Sequence, residues 1–217
     1  KLAVIDLDKC TMCGACVSTC KFNAIEIKAE KETRTDLSHY RGIWVFAEQR
    51  EHAIQPVAYD LLGEAKKLAH DLKTDVSAIL CGGEGIEEEI DNLFAYGADK
   101  VYLLPHPELK DYKSLPYTRA IAELITKYKP EIFLLGATTT GRDLAARLAI
   151  RVGAGLTADC TGLAIDPVKK ILQQTRPAFG GNIMATILSP NNRPQMSTVR
   201  PKVFKKTDKQ PGRKGEV

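Results

Sequence analysis

Short apolar runs alternate with helix-length segments through most of this chain, and that rhythm constrains the fold more than any other feature. Ile43-Trp44-Val45-Phe46-Ala47, Val76–Cys81, Val101–Leu104 and Ile132–Gly136 are largely apolar runs of strand length. Pro56 opens a predicted helix to about Leu72, with Leu61, Leu62, Ala65, Leu68 and Ala69 along one stripe. An acid-rich helix start covers Glu84 to Glu89, and further helices are predicted near Tyr117–Tyr128 and Thr140–Val152. Strands without polar alternation are buried on both faces, so these β-α-β units predict an α/β fold: a mostly parallel sheet with helices on both sides. Beyond Thr161 the pieces shorten. Gly162–Ile165, Ile171–Thr175, Ile183–Leu188 and Ser197–Val199 are predicted as hairpins added at an edge of the sheet.

Ahead of this pattern stands Cys10-Thr11-Met12-Cys13-Gly14-Ala15-Cys16-Val17-Ser18-Thr19-Cys20, a C-x2-C-x2-C-x3-C run. A cubane iron-sulfur cluster needs four thiolates around it, and two-residue spacings let backbone amides curl about the inorganic sulfides. Gly14 supplies freedom for that curl, and Phe22, Ala24, Ile25 and Ile27 would shield one side. Zinc is the alternative, but zinc sites usually separate two C-x2-C pairs by a longer stretch. The metal ligands are therefore predicted to be Cys10, Cys13, Cys16 and Cys20, holding a [4Fe-4S] cluster. Leu2–Ile5 is expected to pair with Ile25–Ile27 around it.

This segment resembles the second half of a bacterial two-cluster ferredoxin, with Lys21 where that family usually has proline. Two arrangements follow. Either the module stands alone with all four cysteines on one cluster, or it is half of a two-cluster domain and Cys20 serves the neighbouring cluster. The chain opens at Lys1 without an initiating Met and with no first cysteine run, which favours the second.

Composition excludes several other classes. The chain has 217 residues, 44% of them hydrophobic and 27% charged, as in ordinary globular proteins. No apolar run is long enough for a membrane span, and the start lacks a secretory pattern. The net charge is +4, yet residues 200–217 carry seven Lys or Arg against two acids, so the remainder is nearly neutral. No basic nucleic-acid face is implied. With its Pro and Gly residues, that tail is predicted to be a solvated, flexible segment. Cys81 and Cys160 lie apart from the run and are predicted to be buried thiols.

One loop invites a ligand. Gly136-Ala137-Thr138-Thr139-Thr140-Gly141-Arg142-Asp143 joins a strand to a helix and gathers hydroxyls, glycines and a helix amino terminus. It lacks the Walker A ending. It reads either as a ligand-contacting loop or as a capped helix start with Arg142 salt-bridged. Gly82-Gly83, before the acid-rich helix, reads as a sharp turn.

The residues also carry a family resemblance. Tyr40–Glu48, Leu61–Ala65, Gly141–Ala145, Gly155–Thr161, Arg176–Asn182 and Met196–Pro201 resemble, in order, signatures of the amino-terminal domain of the electron-transfer flavoprotein alpha subunit. The cysteine run is similar to the extension of anaerobic, electron-bifurcating members. The resemblance implies three parts: an iron-sulfur module and linker over 1–37, the flavoprotein alpha amino-terminal domain over 38–204, and a basic linker over 205–217 toward an absent FAD-carrying domain. It also implies a heterodimer with a beta subunit that holds a second FAD. Thr140, Gly141 and Arg142 would then contact the flavin edge or the subunit seam. The implied function is cytoplasmic electron transfer among NADH-reduced flavin, the cluster, ferredoxin and an acyl-CoA dehydrogenase, by flavin-based bifurcation. The rival is a non-catalytic assembly module stapled by a structural cluster.

Overall fold

The first long apolar run forms β1 (Ile43–Phe46), buried along its whole length. Ile43 and Val45 enter one hydrophobic cluster, while Trp44 and Phe46 enter another on the opposite side. A strand that buries both faces must sit inside a covered sheet. This is a computed structural model that describes Ile5, Cys10, residues 13–22, Ala24, Ile25 and residues 36–217. It divides the chain into two units, Lys1–Thr35 and Asp36–Val217.

In the first unit the described helix is α1 (Ala15–Thr19), entered through Gly14 in the left-handed region at φ 78°. Most of the hairpin expected between Leu2–Ile5 and Ile25–Ile27 lies outside the described residues, as do residues 28–35 of the polar linker.

In the second unit β1 is followed by a tight hairpin, β2 (Gln49–Arg50) and β3 (Ala53–Ile54), turning through Glu51 and His52 at positive φ. Then come α2 (Pro56–Leu72), β4 (Val76–Gly82), α3 (Ile90–Ala95) and β5 (Lys100–Pro105). They are followed by α4 (Ser114–Tyr128), β6 (Ile132–Gly136), α5 (Thr139–Val152) and β7 (Gly155–Cys160). The chain continues through β8 (Gly162–Ile165), β9 (Leu172–Ala178), β10 (Ile183–Ile187) and β11 (Gln195–Val199). The main sheet runs β5-β4-β1-β6-β11-β7, all neighbours parallel. One cluster packs α2 and α3 on one face and the other packs α4 and α5 on the opposite face, as an α/β reading requires.

The carboxyl end of the sequence departs from expectation twice. Ser197–Val199, predicted as part of an edge hairpin, instead belongs to β11, a buried strand between β6 and β7. Its polar side chains find partners for their oxygens in place: Ser197 donates to Gln174 at 2.7 Å, and Gln195 accepts from the Leu172 amide at 2.9 Å. The other three predicted pieces form a separate antiparallel sheet, β10-β9-β8.

The predicted flexible tail is the second departure. Residues 205–216 lie against α2, α3 and β5, because their cations find acids already fixed on the body. Asp99 meets Lys66 at 3.1 Å and also Arg213, and Lys214 meets Asp91 at 2.8 Å. Backbone bonds fasten the segment, from Gln210 N–H to the Ala95 carbonyl and from Val101 N–H to the Glu216 carbonyl. Gly63 on α2 admits this approach, since a Cβ there would stand 2.7 Å from the Lys205 carbonyl oxygen.

Candidate functional site: the sheet switch point and the cysteine segment

The chain runs outward from β1 through β4 to β5, then crosses back by α4 to β6 on the other flank of β1. Ligands of such folds bind outside the carboxyl ends of the strands where this reversal occurs. Here the reversal lies between β1 and β6. A cavity of about 430 Å³ opens there, lined by Glu48, Gln49, Arg50, Glu51, Gln55, Lys110, Asp111, Tyr112 and Thr138–Thr140.

Its inner end is built by two loops. Glu48 follows β1 and is only 8% exposed. Thr138 follows β6 and caps α5, accepting from the Gly141 amide at 2.9 Å. The same hydroxyl donates to Glu48 Oε2 at 2.6 Å. Burial pushes the Glu48 carboxyl above its ordinary range, and the Thr138 hydrogen bond offsets part of that rise. Gly141 is required here for space: a Cβ would collide with the Gly136 carbonyl, so only glycine lets α5 start this close to β6. The β2–β3 hairpin forms another wall. Gln49 anchors it by donating to the Lys110 carbonyl at 2.8 Å and accepting from the His52 amide at 3.2 Å.

The three residues singled out in this turn separate. Thr140 lines the cavity, Gly141 is buried beneath it, and Arg142 turns elsewhere. Arg142 pairs with Asp159, its Nη2 3.0 Å from Oδ1. Asp159 sits in a β-bulge of β7 at φ 60°, where the register against β11 slips between Ser197 and Val199. Such a bulge re-aims a side chain at a strand end. Next along α5, Asp143 accepts from Tyr112 at 2.6 Å, Ser114 at 2.7 Å and Arg147 at 2.9 Å, which holds its carboxyl down at about 2. Gly82, the other glycine turn, abuts Ile86 and serves close packing. Burial pushes the Cys81 thiol up to about 12 and the Cys160 thiol to about 11, as inert buried groups require.

The amino-terminal unit supplies a different chemistry. Cys13 precedes α1, Cys16 lies on it and Cys20 ends it; Cys13 and Cys16 are exposed, Cys10 and Cys20 half-buried. The Ala24 amide donates to Cys20 Sγ at 3.3 Å, a backbone-to-sulfur bond of the kind that tunes thiolate-held clusters. Four thiols and a left-handed glycine between two of them fit a cluster by donor type. Among the described residues, however, no three Cys, His, Asp or Glu side chains stand together as a metal-holding group. The donor set is present, and the described residues do not show it gathered.

A third surface is apolar. Phe179 is 82% exposed and Met184 55%, and Ile183 beside them is also exposed, on the edge strand β10 and the turn before it. Unpaired edge strands with apolar side chains are templates for association.

Sequence reading missed Glu48 and the bulge at Asp159. Both depend on residues far apart in the chain, Glu48 and Thr138 being 90 positions apart.

The layered parallel sheet and its switch-point crevice define a doubly wound α/β domain. The chain belongs to the electron transfer flavoprotein domain family, whose pattern matches residues 43–217. A 4Fe-4S binding domain pattern matches residues 3–26. The electron transfer flavoprotein subunit alpha of Thermoanaerobacterium thermosaccharolyticum is 51% identical over 181 residues, covering 83% of this chain and 54% of that protein. The lactate dehydrogenase (NAD(+),ferredoxin) subunit LctC of Acetobacterium woodii is 43% identical, covering 90% of this chain and 46% of its own length. The acryloyl-CoA reductase electron transfer subunit beta of Anaerotignum propionicum is 43% identical, with 80% and 53% covered. The chain thus spans about half the length of the curated relatives it matches.

Proposed function

We propose that this chain is an electron-transferring subunit of a flavoprotein complex that exchanges electrons with ferredoxin. One observation carries the reading: a 4Fe-4S binding pattern and an electron transfer flavoprotein domain occupy the same chain. Cys10, Cys13 and Cys16 would hold a [4Fe-4S] cluster, with Cys20 on the same cluster or on a neighbouring one, and such a cluster supplies single-electron chemistry when bound. On this reading NADH reduces an FAD in a beta-type subunit, a following domain carries a second FAD, and electrons divide between ferredoxin and an acyl-CoA dehydrogenase. The relative named for acryloyl-CoA reduction supports that choice of dehydrogenase. The lactate dehydrogenase subunit covers more of this chain and favours a 2-hydroxy acid dehydrogenase as the second reading.

The exposed apolar side chains at Phe179, Ile183 and Met184 suit them to face the beta-type subunit. Thr140, Gly141 and Arg142 are assigned to the flavin edge or the subunit seam. Among the described residues no helix is long and apolar enough to cross a membrane, and the complex is assigned to the cytoplasm.

In the assembled full-length complex, Cys13→Ala should abolish NADH-driven ferredoxin reduction and leave NADH-dependent flavin reduction largely intact. Ferredoxin reduction at the unaltered rate without the cluster would leave it a structural staple. Arg142→Ala should weaken beta-subunit binding or shift the flavin potential; if neither changes, Arg142 serves only its ion pair with Asp159.

A further inference from the structure

The crevice at the β1–β6 reversal holds a carboxylate with too few partners. Glu48 is more than nine-tenths buried and lines the cavity. Its Oε2 accepts from Thr138, but among the described residues Oε1 has no hydrogen-bond donor and no cationic side chain pairs with the group. Nor is that oxygen sealed away from solvent. A buried carboxylate gains most from donors that reach it from the cavity side.

The rest of the lining narrows what those donors can be. The amino end of α5 already has an anion beside it in Glu48, so a second anion there would meet like charge. The walls carry neutral hydrogen-bonding groups, the amide side chain of Gln55 and the hydroxyls of Thr139 and Thr140, with the aromatic ring of Tyr112. The outer charges are mixed, Arg50 and Lys110 with Glu51 and Asp111. The cavity, about 430 Å³, is of small-ligand size, within the roughly 300–1,000 Å³ of such clefts. A carboxylate beside neutral polar groups and an aromatic ring is suited to adjacent hydroxyls, the chemistry by which an acidic side chain of dinucleotide-binding sheets hydrogen-bonds ribose.

We infer that the switch-point crevice is a binding site for a vicinal-diol ligand of sugar or ribonucleoside size, with Glu48 receiving the hydroxyls. This site is separate from the cysteine segment and from the Arg142–Asp159 pair, and shares only Thr140 with the residues assigned above to the flavin edge or subunit seam. It asks nothing of the electron-transfer reading.

Calorimetric titration of the full chain with uridine, 2′-deoxyuridine and ribose tests it. Uridine should bind saturably and 2′-deoxyuridine at least about tenfold more weakly, because one of the two charge-assisted hydrogen bonds is lost. Ribose binding separates the sugar from the nucleoside as the source of the diol. Glu48→Gln keeps an oxygen for Thr138, so it should preserve the melting temperature while bringing uridine down to the deoxy level. If Glu48→Gln does not fold, the comparison of the two nucleosides on the unaltered chain decides alone. Equal binding of uridine and 2′-deoxyuridine, binding indifferent to Glu48→Gln, or no saturable binding of uridine or ribose up to about 10 mM would overturn the inference.

Discussion

The two units of this chain are specified by different means. Residues 36–217 close a sheet between two hydrophobic clusters, and Ile43, Leu61, Leu134 and Phe133 are completely buried. In the amino-terminal unit, α1 buries none of its residues, and Val17 and Phe22 stand exposed. The body draws its order from apolar burial. The described residues of the cysteine segment show little of it, and on the proposed reading that segment takes its order from what its thiols bind. Chemistry is thus most legible where geometry is least self-supporting, and the reverse holds in the body.

Apolar truncation gives the sharpest contrast. Leu134→Ala should lower unfolding free energy by about 2–5 kcal/mol, as a cavity in a fully buried site does. Val17→Ala should change it by less than about 0.5 kcal/mol. Urea unfolding of both variants measures this, and equal losses would break the comparison by revealing a core in the cysteine segment.

The same division explains which elements could be seen in advance. Strands β1, β4, β5 and β6 stand out because parallel strands covered on both faces are largely apolar runs, and α2 because Pro56 and its stripe mark it. β11 does not stand out, since Gln195, Ser197 and Thr198 look solvent-facing until Gln174, Leu172 and Asp159 are brought to them. The tail misleads for a related reason: its charged side chains look solvated in sequence, and only the fold places Asp99 beside Arg213, Asp91 beside Lys214 and Lys100 beside Glu216. In the Thr138–Asp143 turn, sequence neighbours are sorted by helical rotation, Thr140 to the cavity and Arg142 to Asp159. The four cysteines are legible without tertiary information, because their spacing alone points to thiolate donors for a cluster.

A smaller effect belongs to the body's titration. Asp143 sits at about 2, below its ordinary 3.8, so the stability it contributes is present above 3.8 and is lost as pH falls through about 2. Glu48 acts with the opposite sign. Its carboxyl is raised, so the cost of its charge is relieved as pH falls through that raised range. Asp143→Asn should therefore flatten the acid limb of the thermal stability profile between about 4 and 2. A limb of unchanged slope would mean that Tyr112, Ser114 and Arg147 do not hold this carboxylate in solution.

The central claim is that the cysteine segment carries a redox-active cluster on an electron transfer flavoprotein body. Electron paramagnetic resonance of the full-length protein before and after dithionite, with iron and sulfide analysis on the same sample, tests it most directly. The account predicts a cluster signal that appears on reduction and vanishes on reoxidation, with about four irons per chain for one cluster or about eight for two. A redox-silent sample, or zinc in place of iron and sulfide, would contradict it.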